Sequence, residues 1–221
     1  MGDILSKYDV IGAFWVTIQL SVLATLGALV LGTIVAVLRV SPVRVLRLIG
    51  TSYVNVFRNT PLTLLMVLSI LGISFILGVE LSDDFSRNAY WWAAIMLSIY
   101  HAAFVCEALR SGVNTIPTGQ AEAARSIGLT FNQSLTEVLL PQAFRGAIAP
   151  LGSVVIALIK NTTVAAVILG TLEPAGLLAK ITENEGASLP VFFIFALGFV
   201  ILTLPLGILF TNLSRRLAVK R

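Results

Sequence analysis

The sequence predicts an all-α integral membrane protein, in which residues 1–221 form one bundle of five membrane-spanning helices. Apolar residues make up 57% of the chain and charged residues only 12%, whereas a soluble domain carries about 25% charged residues. The charged residues are gathered into patches that long charge-free stretches separate. Within a bilayer a helix satisfies its own backbone hydrogen bonds, so these stretches indicate a helical bundle and not an open sheet.

The charge-free stretches place the spans. About 20 apolar residues, each rising about 1.5 Å, cross a hydrocarbon core of ~30 Å. We predict five such spans in chain order, at residues 11–38, 61–79, 89–110, 146–172 and 189–213. The N-terminus lacks a basic region and the first apolar run is long, so we expect no cleavable signal peptide.

The segment 41–61 needs a separate interpretation, because its apolar residues are interleaved with Arg44, Arg47 and Asn55. One interpretation is an amphipathic helix that lies at the membrane interface. The other is a cytoplasmic extension of the second span. We favour the extension, with a break at Asn59-Thr60-Pro61, since the residue before a proline avoids helical geometry.

The basic residues predict the orientation, because lysine and arginine accumulate on the cytoplasmic side. With five spans, three basic residues fall on the outer side: Lys7, Arg87 and Lys180. Eleven fall on the other side: Arg39, Arg44, Arg47, Arg58, Arg110, Arg125, Arg145, Arg215, Arg216, Lys220 and Arg221. We therefore predict the N-terminus outside, the C-terminus in the cytoplasm and a cytoplasmic loop at 111–145. The net charge of +4 follows from this bias and does not indicate nucleic-acid binding.

The loop 111–145 contains a short polar helix, predicted at 117–127. Pro117 suits the first helical position, where its missing N–H is not needed. Glu122 lies in the early turns, where a carboxylate complements the helix dipole. Gly128 suits the left-handed residue that closes a helix. A second short helix is predicted to begin at Thr130, in a capping box with Gln133, and to be limited by Pro141.

Small residues share one face of the predicted 117–127 helix, namely Ala121, Ala124 and, just beyond its end, Gly128. Their spacing of three and four residues would let another surface approach this face closely. Two interpretations remain open on these residues alone. The helix either packs on its own bundle as an ordinary surface element or serves as a docking point for another protein.

Several motifs in order and spacing resemble those of one transporter family. Glu122-Ala123-Ala124, three residues and Gly128, followed by Leu140-Pro141, resemble the EAA loop of ABC-importer permeases. The surrounding segments resemble more narrowly the permeases for polar amino acids: Arg58-Asn59-Thr60-Pro61, Ala103 to Glu107, Leu140 to Arg145 and Lys160 to Val164. The resemblance covers about residues 10–215. It departs from the family pattern at Asn59, Phe104, Cys106, Thr163 and Val164, which leaves the solute open.

This resemblance implies the ABC-importer permease fold, a bacterial plasma-membrane location and a role in importing glutamate, glutamine, aspartate or a basic amino acid. It implies that an ATPase subunit docks on the residues of the loop helix: Ala121, Glu122, Ala123, Ala124 and Gly128. The sequence has no G-x-x-x-x-G-K-[ST] phosphate loop. We therefore expect no cofactor in this chain, with ATP and magnesium bound by the ATPase. A second permease, identical or a sibling, and an extracytoplasmic solute-binding protein complete the implied assembly.

Polar residues in or beside the spans are the candidates for the solute pathway: Arg58, Asn59, Thr60, Glu107, Arg110, Lys160, Asn161, Thr162 and Thr163. An ionisable group inside a span is costly and therefore indicates function. Lys160 either meets the carboxylate of a solute or pairs with Glu107 or a backbone carbonyl to hold two helices together.

The other candidates also keep two interpretations. Glu107 and Arg110 are three residues apart on one helix and either pair with each other or line the inner exit. Arg58 either anchors the interface or lies near that exit. His101 is predicted to be a hydrogen-bonded packing residue, and no metal site is expected, because no second ligand stands at a suitable spacing.

Two other functional classes compete with the permease. An autonomous channel or ion-coupled carrier would use Lys160 and Glu107 as an ion relay and would work without an ATPase. A membrane enzyme is disfavoured, because the chain has one histidine, one cysteine and no convergent catalytic cluster.

Overall fold

A computed structural model describes residues 6–217. Lys220 and Arg221, which were predicted to be cytoplasmic, lie outside the described residues. Within 6–217 the elements, in chain order, are the helices α1 (Val10–Val40), α2 (Arg44–Asn59), α3 (Leu62–Ile76), α4 (Phe85–Val113), α5 (Thr118–Ser126), α6 (131–161), α7 (Ala166–Leu169), α8 (Pro174–Glu185) and α9 (Leu189–Leu217). Short 3₁₀ turns at Thr162–Ala165 and Gly170–Leu172 flank α7.

Helix α4 forms the centre of the bundle, packed between α1 and α6. Its buried residues are mostly small, among them Ala93, Ala102 and Ala103. A Cβ atom at Gly32 of α1 would lie 2.6 Å from the Val105 side chain and 2.8 Å from the Ala102 carbonyl oxygen. Small residues allow such close backbone approach. Helices in a membrane associate through this close packing, because lipid tails are as apolar as the side chains and the hydrophobic effect does not drive association.

The described chain contains four helices long and apolar enough to cross a membrane, and α2 with α3 makes a fifth if that bent pair is one span. The predicted spans 11–38, 89–110 and 189–213 fall within α1, α4 and α9. The second predicted span, 61–79, corresponds to α3, whose residues Leu68–Ile76 form a π-helix. The five-span count and the orientation of the termini stay predictions.

The segment before α3 is a separate helix and not a straight extension of the span. Helices α2 and α3 meet at 99°, with the break at Thr60 and Pro61 where the sequence predicted it. The Tyr53 hydroxyl donates to the Ile99 carbonyl of α4 at 2.7 Å, and Val54 is buried. The predicted break is confirmed, and on its N-terminal side α2 leaves the direction of α3 and packs on the bundle.

The fourth span begins earlier than its predicted start at residue 146. Helix α6 runs through Pro141, which was expected to limit a short helix. Residues Ser134–Leu139 form a π-helix immediately before it, and the wide turn accommodates a ring that an α-helical turn would exclude. At the other end the α-helix gives way at Asn161 to 3₁₀ turns and the short helix α7, and this continuation ends at Leu172, the predicted end of the span.

The two ends of the bundle carry different elements. At one end the last turn of α1 meets the last turns of α4, beside α5; we call this the inner end, after its predicted side. At the opposite, outer end, the start of α1 meets α8. There Lys7 forms an ion pair with Glu185, and the Asn184 side-chain amide donates to the Tyr8 hydroxyl at 3.1 Å.

Candidate functional site

Helix α5 has defined ends. Its N-cap is Pro117, so the first helical residue is Thr118, one residue later than predicted. Gly128 has φ +84°, as predicted, and its N–H donates to the Arg125 carbonyl at 3.0 Å, while the Leu129 N–H donates to Ala124 at 3.1 Å. Glu122 is the fifth of nine residues, not an early one. The prediction that it complements the dipole is wrong, since that effect fades beyond the first turn.

The two faces of α5 have different environments. Ala124 is buried and Ala121 is half-buried, because this face packs on the π-helical turn of α6. The small-residue face therefore receives the chain's own helix, and only Gly128 of the predicted face remains exposed. The outward face carries Glu122 and Ala123, both exposed.

Two exposed apolar residues beside α5 were missed from the sequence. Ile127 is 78% exposed and Phe131 is 43% exposed, on either side of Gly128. We call Glu122, Ala123, Ile127, Gly128 and Phe131 the loop surface. The capping box predicted after it is present, since the Thr130 N–H donates to Gln133 Oε1 at 3.0 Å and the Gln133 N–H to Thr130 Oγ1 at 3.3 Å. Large apolar side chains in an otherwise polar loop were the available signal.

A charge cluster lies at the inner end around Glu107. Arg110 donates to Glu107 Oε2 at 3.0 and 3.1 Å, which confirms the predicted pair. Arg39 of α1 also forms an ion pair with Glu107, and Arg58 of α2 lies 3.8 Å from it, with its guanidinium 5.7 Å from the Phe104 ring centroid. One carboxylate thus joins α1, α2 and α4, and the sequence did not indicate Arg39.

The remaining pathway candidates on α2 bond to their own helix. The Asn59 side-chain amide donates to the Asn55 carbonyl at 2.7 Å, and the Thr60 hydroxyl donates to the Val56 carbonyl at 2.8 Å. Both side chains therefore satisfy carbonyl groups left open at the end of the helix. The structure brings Arg58, Glu107 and Arg110 together, whereas Asn59 and Thr60 terminate α2.

The segment 160–163 lies where α6 ends. Lys160 is exposed, and within residues 6–217 it has no ion pair and no hydrogen bond from its ammonium group. The alternative that pairs it with Glu107 is wrong, because that carboxylate is held by arginines at the inner end. The hydroxyls of Thr162 and Thr163 donate to the carbonyls of Ile159 and Lys160 at 2.8 and 2.7 Å, which favours the tight 3₁₀ turn.

A cavity of about 380 Å³ lies between α4 and α6. Its lining is chiefly Tyr100, His101 and Phe104 from α4 and Ser153, Ala157 and Asn161 from α6. His101 is 1% exposed and is hydrogen-bonded through both ring nitrogens, to Leu97 and Asn161. The prediction of a hydrogen-bonded packing residue is confirmed, and the histidine also orders one wall of the cavity. Lys160 is not part of this lining.

Glu173 is a buried carboxylate that the sequence analysis did not single out. It lies just beyond the candidate span, with 0% of its surface exposed, and its Oε2 accepts the Ala175 N–H at 2.7 Å at the start of α8. No group in the described chain donates to its Oε1. Burial raises the pKa of this carboxyl to about 7, against the opposing effect of the Ala175 and Gly176 amides and the Thr162 hydroxyl.

The chain is similar to known transport proteins over most of its length. Residues 28–219 match the family described as the inner membrane component of binding-protein-dependent transport systems. The glutamate transport system permease protein GluC of Corynebacterium efficiens is 48% identical over 95% of this chain and 94% of that protein. The probable glutamine ABC transporter permease protein GlnM of Bacillus subtilis is 36% identical, over 92% and 91%. A solved amino acid ABC transporter with histidines superposes with a TM-score of 0.80 at 26% identity, covering 94% and 93%.

Proposed function

Because the chain belongs to the family of inner membrane components of binding-protein-dependent transport systems, we propose that it conducts a polar amino acid into the cytoplasm, driven by an ATPase subunit bound to the loop surface. The chain is an ABC transporter permease for amino acids and a multi-pass protein of the cell membrane. The observation that carries the proposal is the exposed apolar and acidic surface around the C-terminal end of α5, where Gly128 terminates the helix.

The loop surface suits a protein partner. Its two large side chains expose apolar area beside a glycine whose left-handed backbone admits few other residues. Glu122 adds one negative charge to the same face. The opposite face of α5 is packed on α6, so a push on the loop surface reaches a long helix that runs on to Asn161. That continuity supports a mechanical role for α5.

The structure of one chain supports a pair of permeases. Helix α9 buries little of its surface in the described chain and exposes large apolar residues such as Phe193 and Ile201. Lys160 is exposed without a partner in the described chain, and an ammonium at a span is costly unless protein or water surrounds it. We propose that a second permease, identical or a sibling, covers part of this surface and completes the pathway.

The proposed solute is an acidic amino acid or its amide. The relatives that are 48% and 36% identical carry glutamate and glutamine in their names. The proposed pathway runs from the cavity beside Asn161, past Lys160, to the arginines around Glu107 at the inner end. A solute with a carboxylate meets basic groups along it, and an extracytoplasmic solute-binding protein would deliver it near α8 at the outer end.

Uptake by reconstituted vesicles tests the proposal. The chain, the ATPase and the solute-binding protein are reconstituted together, and accumulation of radiolabelled L-glutamate is measured with and without ATP. We expect accumulation only with ATP and with the ATPase present. Uptake by the chain without the ATPase, driven by an ion gradient, would instead support the autonomous carrier and refute the proposal.

Two variants of the loop surface locate the coupling. Glu122→Lys and Gly128→Leu should abolish ATP-driven uptake and release the ATPase during purification, while the protein still inserts. Glu80→Lys, the same charge change at an exposed site of the outer end, is the matched control and should keep both properties. Retention of uptake and ATPase by both loop variants would remove α5 from the mechanism.

A further inference from the structure

The cavity between α4 and α6 contains a hydrogen-bonded chain of three groups. The His101 Nδ1 atom lies 2.9 Å from the Leu97 carbonyl oxygen. Its Nε2 atom lies 3.2 Å from the side-chain nitrogen of Asn161. The imidazole therefore connects a backbone carbonyl of α4 to the amide side chain at the end of α6.

The contacts determine where the ring proton lies. A carbonyl oxygen only accepts hydrogen bonds, so Nδ1 carries the hydrogen that faces Leu97. In a neutral ring Nε2 is then the acceptor, and the Asn161 amide donates to it. The ring is 1% exposed, and no ion pair in the described chain joins it to an acid. A charged imidazole without a counter-ion is costly there, so the neutral form is favoured.

The imidazole also fixes the direction of the Asn161 amide. With its nitrogen facing His101, the amide cannot rotate by half a turn without setting its oxygen against the unprotonated Nε2, acceptor against acceptor. The oxygen is therefore held away from the ring. No hydrogen bond in residues 6–217 engages that oxygen, and Asn161 lines the cavity. The cavity thus gains a hydrogen-bond acceptor whose direction the histidine sets.

We propose that His101 is a positioning residue that holds the Asn161 carbonyl oxygen toward the cavity, where it accepts a hydrogen bond from the α-ammonium group of an amino-acid solute. This inference rests on the proposed function, and it names the solute group that this wall recognises. The ammonium offers three donors and no acceptor. The aromatic ring of Tyr100, in the same lining, adds a group that attracts a cation. A dicarboxylate without the amino group would leave the oxygen unpaired and would be rejected.

Solute binding tests the inference directly. The permease–ATPase complex is reconstituted in lipid nanodiscs without the solute-binding protein, and equilibrium binding of radiolabelled L-glutamate is measured with glutarate as competitor. We expect His101→Leu and Asn161→Ala each to weaken glutamate binding about tenfold, since a hydrogen bond to a charged group is lost. Weak competition by glutarate, which lacks the ammonium, should be unchanged in both variants.

A double-mutant cycle separates positioning from packing. Because the two residues act through one contact, the double variant should bind glutamate about as weakly as either single variant. His101→Gln, which keeps a carbonyl acceptor for the Asn161 amide, should restore most of the affinity. Additive losses, or no loss in Asn161→Ala, would overturn the inference, as would no detectable binding of glutamate by the wild-type complex.

The ring proton gives a second readout that packing would not move. The chain contains one histidine, so ¹⁵N-histidine labelling of the full chain in lipid bilayers, purified without a histidine tag, reports that ring alone. We expect a protonated Nδ1, a non-protonated Nε2, and a shifted Nε2 resonance in Asn161→Ala. A protonated Nε2 would overturn the inference. The two proposals can fail separately. If wild type shows ATP-driven uptake and the His101 and Asn161 variants bind glutamate normally, the proposed function stands and this inference is refuted.

Discussion

Replacing Glu173 by glutamine should change how the stability of the protein depends on pH. The carboxyl has a pKa raised from 4.5 to about 7, with burial as the main cause. The groups that oppose this rise in pKa are two backbone amides and the Thr162 hydroxyl, with no charged side chain among them. The folded state therefore favours the protonated acid, whereas the unfolded chain ionises at the ordinary value.

The sign and size follow from that difference. Below pH 4.5 the carboxyl is protonated in both states and costs nothing. As the pH rises from 4.5 to 7 the unfolded state gains stability by losing its proton, and above 7 the folded state must ionise as well. The loss of folding stability is then complete and amounts to roughly 3 kcal/mol, at about 1.4 kcal/mol for each pH unit between the two pKa values. For a chain of this size roughly 3 kcal/mol corresponds to about 6–12 °C in melting temperature.

Thermal unfolding of the purified chain in nanodiscs, followed by tryptophan fluorescence between pH 4.5 and 8, measures the effect. The melting temperature of wild type should fall across this pH range relative to that of Glu173→Gln. The glutamine stays neutral and still accepts a hydrogen bond from the Ala175 N–H. Glu183→Gln, an exposed acid of the same helix, is the control and should follow wild type. Parallel curves for wild type and Glu173→Gln would refute a buried, neutral Glu173.

The remaining predictions concern packing and charge. Gly32→Leu should prevent stable folding, because even its Cβ would lie 2.6 Å from the facing side chain on α4, whereas Gly119→Ala, with nothing within 4 Å, should fold normally; yield of monodisperse protein after purification measures both. Arg39→Met should lower the melting temperature more than Arg110→Met, because the Arg39 side chain is 14% exposed and that of Arg110 is 49% exposed, and screening weakens an exposed pair. Equal losses from the two arginine variants would show that burial does not rank these partners of Glu107.

The sequence predicted most of the elements because membrane spans depend on few variables. A charge-free run long enough to cross the bilayer identifies α1, α4 and α9, and a glycine after a short polar helix identifies the end of α5. Both arguments are local, since each uses only neighbouring residues and the solvent around them. The predicted start of this span was wrong because a π-helical turn removes the clash that makes a proline such as Pro141 end a helix.

Contacts between distant residues could not be predicted from local patterns. Arg39 and Glu107 are 68 positions apart, and a basic residue at the end of a first span is ordinarily explained by the cytoplasmic charge bias alone. The orientation of α5 was missed for a related reason. A face of alanines fits its own bundle and a foreign protein equally well, and only the packing of α6 decides that Ala124 points inward.

The environment of Lys160 is explained only when the sequence and the structure of the single chain are considered together. Charge-free flanks predict that it is costly and therefore functional, and the structure removes Glu107 as its partner by engaging that carboxylate with arginines at the inner end. An exposed ammonium at the end of a membrane helix still requires water, a solute carboxylate or a group from another chain around it. The exposed apolar surface of α9 requires lipid or protein in the same way. Both needs would be met by the second permease proposed above, and we therefore propose a pathway shared between two chains over one enclosed within a single chain.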